Sequence, residues 1–187
     1  MSATVESVNV GVVRDVPWGK LKRSAIDKRP VAESVWVSRV GLLGDEVADT
    51  VFHGGETKAV YAFAAEDLER WAAELGRPFG PGAFGENLTV RGLDLATARS
   101  GERWAVGTTV LEMTTARIPC SVFQGFVGER QWVRRFAADG APGAYFRVLQ
   151  EGHVRPGDAI EVLRVGDGPT MRELLHERMP VPARTRG

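Results

Sequence analysis

The chain has 187 residues, 43% hydrophobic and 26% charged, the balance of a globular protein able to bury a core rather than of a disordered or fibrous chain. Its formal net charge is zero, which argues against a general nucleic-acid binder. No apolar run nears the roughly 20 residues that span a bilayer, residues 1–14 lack the pattern of a secretion signal, and a lone cysteine permits no internal disulfide, so a cytoplasmic protein without a membrane or nucleic-acid partner is expected.

Valines alternating over residues 5–13 predict a first strand, broken at Pro17-Trp18-Gly19. A β-branched run over 31–40 ends at Gly41, and the short apolar run 59–63 suits a buried strand. Leu68, Trp71, Ala72 and Leu75 fall at helical spacing and predict a helix over 66–75. A Gly/Pro loop over 76–85 leads to a short strand at 88–90, and strict alternation over 109–115 marks another strand. A helix is expected over 129–138, strands over 144–149 and 159–165, and a last helix after Thr170, which forms a capping-box pattern with Glu173. The last seven residues, 181–187, read as frayed.

Many short strands with two or three helices and no regular βαβ alternation point to a mainly β fold, a β-barrel with helical insertions. The chain divides as a barrel domain over 1–166 and a short C-terminal helix and tail over 167–187. Phosphate-binding loops, dinucleotide fingerprints, serine nucleophile elbows and zinc-protease motifs are all missing from it.

Four segments carry chemistry, each with a plainer alternative. Cys120 closes the string Arg117-Ile118-Pro119-Cys120 at a strand end. It is either a buried structural thiol or a thiol whose pKa the Arg117 guanidinium depresses, making it a nucleophile or a soft metal ligand. His53-Gly54-Gly55 is a tight turn, or a flexible backbone that turns its amides toward an anion with Lys58 adding charge. Lys28-Arg29-Pro30 is a solvated cationic pair, or a phosphate clamp. The segment Gly82 to Asn87 is a glycine turn, or a pocket rim where Glu86 and Asn87 meet a heterocycle.

Taken in order, these strings resemble the MOSC family, the molybdenum cofactor sulfurase C-terminal domain. The matching segments are Ser24 to Val31, Gly41 to Asp45, His53-Gly54-Gly55 with Lys58 to Tyr61, Gly82 to Asn87, Arg117 to Cys120, Gly143 to Leu149, and Gly157-Asp158. Together they span about residues 5–165 and look most like the bacterial YiiM-type branch. That branch continues into a helical extension, of which one helix is expected here.

The resemblance implies a barrel-like fold and binding of the molybdenum cofactor, Mo-molybdopterin. It implies that Cys120 is the molybdenum ligand and catalytic residue, with Lys28, Arg29, His53, Gly54, Gly55, Lys58, Glu86, Asn87 and Arg117 as cofactor-binding residues. The activity that follows is reduction of a small N-hydroxylated substrate, such as a hydroxylamino-purine, with electrons from an external donor protein. The alternatives are a carrier that holds sulfur as a Cys120 persulfide or hands on the cofactor, and a non-catalytic binding domain with an inert thiol. The sequence does not fix the oligomeric state.

Overall fold

A computed structural model describes residues 2–50 and 53–181. Phe52 and residues 182–187 of the tail expected to fray lie outside the described residues. In chain order the elements are β1 (Thr4–Val10), β2 (Arg14–Asp15), β3 (Arg23–Ser24), β4 (Arg29–Val31), β5 (Val35–Ser38), β6 (Gly41–Leu42) and a 3₁₀ turn (Glu56–Lys58). Then come β7 (Val60–Ala64), α1 (Ala65–Leu75), β8 (Leu88–Arg91), β9 (Arg103–Val106), β10 (Thr109–Ala116), α2 (Ser121–Val127) and α3 (Trp132–Asp139). The series ends with β11 (Ala144–Gln150), β12 (Gly152–Val154), β13 (Ile160–Arg164) and α4 (Met171–Arg178).

The expected barrel is not what forms. Eight strands make one open sheet in the order β13-β9-β10-β11-β7-β8-β1-β4, with a three-stranded sheet β12-β5-β6 and a β2–β3 hairpin beside it. The sheet has two real edges. β4 carries Pro30, which lacks an N–H for a further partner. The chain before β13 meets the start of β1 only at an isolated bridge between Thr4 and Ala159, flanked by three backbone hydrogen bonds, and the pairing does not run on along the two strands as a ladder. The fold is also mixed rather than mainly β: β7, α1 and β8 form a crossover whose two strands pair in parallel.

β7 reads VYAFA and is buried along its whole length, because sheet and helices cover both its faces. One face of the sheet packs an aliphatic core that includes Val5, Leu88, Leu111, Phe146 and, from α4, Met171 and Leu175. The other face meets an aromatic cluster in which Trp71 of α1 and Trp132 and Phe136 of α3 close over Phe63 and Phe84. The capping box of Thr170 and Glu173 starts α4 as the sequence predicts. α3 begins three residues later than the periodicity suggests, because Gln131 adopts φ 56° and sets the entry. No described helix is long and apolar enough to cross a membrane.

Candidate functional site

β10 delivers Cys120. The strand ends at Ala116, and residues 117–120 turn the chain into α2. Cys120 is extended (φ −130°, ψ 174°) and its carbonyl accepts from the Gln124 amide, so it is held as the first residue of a turn. Burial pushes its thiol up, but a hydrogen bond with His53, the charge of Arg117 and the Phe123 amide outweigh burial and bring it down to about 7. The thiol lines a cavity of about 1070 Å³.

Arg117 is buried (5% exposed) and its guanidinium lies 3.7 Å from the centre of the Phe123 ring. It donates to the Phe84 carbonyl at 2.5 Å and hydrogen-bonds the Tyr61 side chain. Among the described residues it makes no ion pair with a carboxylate; aromatic faces, a carbonyl and hydroxyls answer its charge. Burial works against that charge, while the Tyr61 hydrogen bond and the Cys120 sulfur beside it, when ionised, favour it.

His53 reaches the thiol from the turn before β7, where its amide donates to the Asp49 carbonyl at 3.0 Å. Gly54 and Gly55 take φ 75° and 76°, a conformation glycine adopts without strain. Lys58 closes the 3₁₀ turn and its ammonium lies 5.9 Å from the Tyr145 ring centre. Tyr145 stacks at 4.9 Å on Tyr61, whose hydroxyl donates to the Pro142 carbonyl at 2.8 Å. Burial raises both phenols, so both stay protonated at neutral pH.

Lys28 reaches the cavity paired with Asp45, and the pair is nearly enclosed, each side chain 9% exposed. Asp45 also accepts from the Gly11 amide at 2.8 Å and the Asn87 amide group at 2.9 Å. Asn87 in turn accepts from the Tyr61 backbone at 3.1 Å, tying β7 to the Lys28 wall.

The cavity thus brings together Cys120, Arg117, His53, Gly54, Lys58, Lys28 and Asn87. It does not take in the other three expected residues. Arg29 points outward and pairs with Asp27 at 2.6 Å. Gly55 sits beside the wall as the residue before the 3₁₀ turn. Glu86 is fully buried and turned inward, accepting from the Gly82 and Phe84 amides at 2.7 and 3.0 Å and from the Thr89 hydroxyl at 2.9 Å.

Tyr61, Tyr145 and Asp45 are site residues that sequence reasoning did not single out. The two phenols are the only tyrosines in the chain, and each lies within a segment matched above. Among the described residues there is no group of three or more His, Cys, Asp or Glu able to hold a metal ion. A metal here would take one thiolate from the chain and bring its remaining ligands with it.

A family model described as "MOSC domain" matches residues 49–161. "Uncharacterized protein YflK" of Bacillus subtilis (strain 168) is 37% identical over 165 residues, covering 88% of this chain and 75% of that one. A protein of Gibberella moniliformis named "Reductase" is 30% identical over 174 residues, which cover 86% of this chain but only 30% of that longer protein. The crystal structure of YiiM from Geobacillus stearothermophilus superposes with a TM-score of 0.78 at 31% identity, covering 94% of this chain and 83% of that one.

Proposed function

The chain belongs to the MOSC domain family, close to its YiiM and YflK members, and on that footing we propose that its cavity binds the molybdenum cofactor and reduces N-hydroxylated substrates. The setting of Cys120 carries this reading: a thiol held near pKa 7 between His53 and a buried guanidinium, in a cavity that also presents Lys28 and Lys58. A structural thiol has no use for that environment, whereas a metal ligand must be deprotonated.

The donor set fits the cofactor. A space of about 1070 Å³ is ample for a pterin. Lys58 on the cavity wall supplies positive charge toward a phosphate, with Lys28 behind it held by Asp45, while Asn87 is engaged with Asp45 and the Tyr61 backbone and braces that wall. Bound there with Cys120 as its protein ligand, the group would supply a redox metal able to take oxygen from an N–O bond.

The residues of the chain do the rest. The His53 hydrogen bond and the charge of Arg117 together overcome burial and bring the thiol to about 7, so that much of it is thiolate at neutral pH. Tyr145, protonated and facing the cavity, donates a hydrogen bond toward substrate oxygen. The net change is a hydroxylamine plus two electrons and two protons giving an amine and water, with an external protein donating the electrons. The name "Reductase" of the fungal relative agrees with this class of reaction.

The test is anaerobic reconstitution of wild type and Cys120→Ser with molybdenum cofactor, followed by metal and pterin content per chain. Near-stoichiometric molybdenum in wild type and its loss in the variant is the expected result. Equal content in both removes Cys120 as the ligand. A persulfide mass on Cys120 in protein taken from cells, without turnover of an N-hydroxylated base by a reduced dye, would assign the site to sulfur carriage instead.

A further inference from the structure

The rim of the cavity differs in kind from its interior. Three aliphatic side chains in two loop regions stand out into solvent around the opening: Leu21 of the β2–β3 loop at 54% exposure, and Val40 at 66% and Leu43 at 73% on either side of β6. A small substrate inside the cavity cannot cover groups that project outward, and a cluster of this kind around an opening marks a surface that another protein covers. Leu21 rides on the β2–β3 hairpin, residues 14–24, where Arg14, Lys20, Lys22 and Arg23 face one carboxylate, Asp15. That hairpin carries a net charge of +3 within a chain whose net charge is zero. All four cations are exposed, and the Arg23–Asp15 pair is loose at 3.9 Å. Among the described residues four carboxylates also line the cavity, Asp45, Glu46, Asp49 and Glu177; Asp45 is neutralised by Lys28, and Glu46 accepts from the Val13 amide at 2.6 Å.

We infer that the basic β2–β3 hairpin, with Leu21, Val40 and Leu43, is the docking surface for an acidic electron-carrier protein of the flavodoxin type. The inference rests on the reductase reading, which requires electrons from outside. The occupant follows from the charge: a positive hairpin beside an apolar ring selects a negatively charged partner, steers its encounter and seats its redox group over the opening. A rim of this composition repels a basic carrier as it attracts an acidic one.

The probe is a flavodoxin, with cytochrome c as the basic comparator, and binding to the full chain is measured by calorimetry without cofactor loading. Flavodoxin binds, its affinity falls about tenfold or more between low and physiological salt, and cytochrome c does not bind. The double variant Arg14→Glu with Lys22→Glu, both outside the cavity, weakens flavodoxin binding by at least about tenfold. Leu43→Ser weakens it severalfold while keeping the salt dependence of wild type, which the charge variant loses. No flavodoxin binding, or binding unchanged by charge reversal, overturns the proposal.

Turnover separates this from the reductase reading. With hydroxylamino-purine, the charge variant keeps wild-type turnover driven by reduced methyl viologen and loses flavodoxin-driven turnover. Wild type that shows no viologen-driven turnover overturns the reductase reading, while the binding measurement still judges the surface on its own.

Discussion

The guanidinium of Arg117 stacks 3.7 Å from the centre of the Phe123 ring, six residues beyond it and about one turn past Cys120. The contact fixes the approach of the positive charge to the thiol, because Phe123 is itself fully buried against Phe84 and Trp132. Phe123 thus acts twice on Cys120: its ring seats the cation, and its amide donates to the sulfur. The aromatic cluster on this face of the sheet is therefore part of the electrostatics of the site as well as of its packing.

The first consequence is a pH dependence of the thiol. Alkylation of Cys120 in the cofactor-free chain should follow a titration centred near pH 7, against the ordinary 9.0 of an unperturbed thiol. His53→Ala should move that midpoint upward, since it removes the hydrogen bond. The sign for stability follows from linkage. The folded value lies below the unfolded one, so the thiolate's contribution is fully present above about 9 and fades as pH falls through about 7. Iodoacetamide rates and urea midpoints across that window check both. A midpoint that stays near 9 removes the proposed activation.

Arg117→Met should separate charge from packing. A buried cation without a carboxylate partner is weak as a source of stability, and an apolar chain of similar volume replaces it at little cost. The unfolding free energy measured in urea should fall by no more than about 1–2 kcal/mol, mainly from the Phe84 carbonyl left without its donor. Thiol reactivity at pH 7 should fall severalfold in the same variant. Unfolding of the variant together with unchanged reactivity per folded molecule would make Arg117 a structural residue only.

How far the sequence reaches depends on residue type. A lone cysteine after an arginine and a His-Gly-Gly turn are rare strings, and all their residues but Gly55 line one cavity. Tyr61 and Tyr145 were hidden because an aromatic in a strand reads as core, and both are in fact packed in strands while facing the site. Glu86 reads as a rim residue because a polar side chain in a glycine turn gives no sign of its direction, and Arg29 reads equally as a phosphate clamp or a solvated cation because its place beside Lys28 does not say which way it points. α2 escaped notice because residues 121–127 contain Gly125 and two valines, poor helix formers that tertiary packing overrides. Barrel closure was illegible for a further reason. Alternation identifies a strand, but the pairing of the first strand with the last is set by a few residues near Thr4 and Ala159, where one bridge forms and a ladder does not.

Glu86 should prove structural. Its two oxygens accept from three donors in a fully buried turn, and the same turn supplies the Phe84 carbonyl to Arg117. Glu86→Ala leaves those donors without partners and should cost about 2–4 kcal/mol in chemical denaturation. Glu86→Gln should cost less, because it keeps one acceptor while setting an amide group against an N–H. If Glu86→Ala retained wild-type stability but lost cofactor, the residue would belong to the site after all.

The Lys28–Asp45 pair gives the sharpest test of which cations serve the cavity. Asp45 holds Lys28 in a nearly enclosed position and is itself held by the Gly11 and Asn87 donors. Removing one partner strands the other charge. Asp45→Ala should therefore destabilise by roughly 3–5 kcal/mol, and adding Lys28→Met should recover part of that loss. Cofactor retention should follow a different pattern. Lys58 lies outside this enclosed pair, so Lys58→Ala should weaken retention in a salt-dependent way without stranding Asp45. Lys28→Met alone should affect both, because it removes a cavity charge and strands Asp45. Denaturation curves and pterin content on the four variants separate the two roles, and equal retention in Lys58→Ala and wild type at low salt would exclude Lys58 from the phosphate.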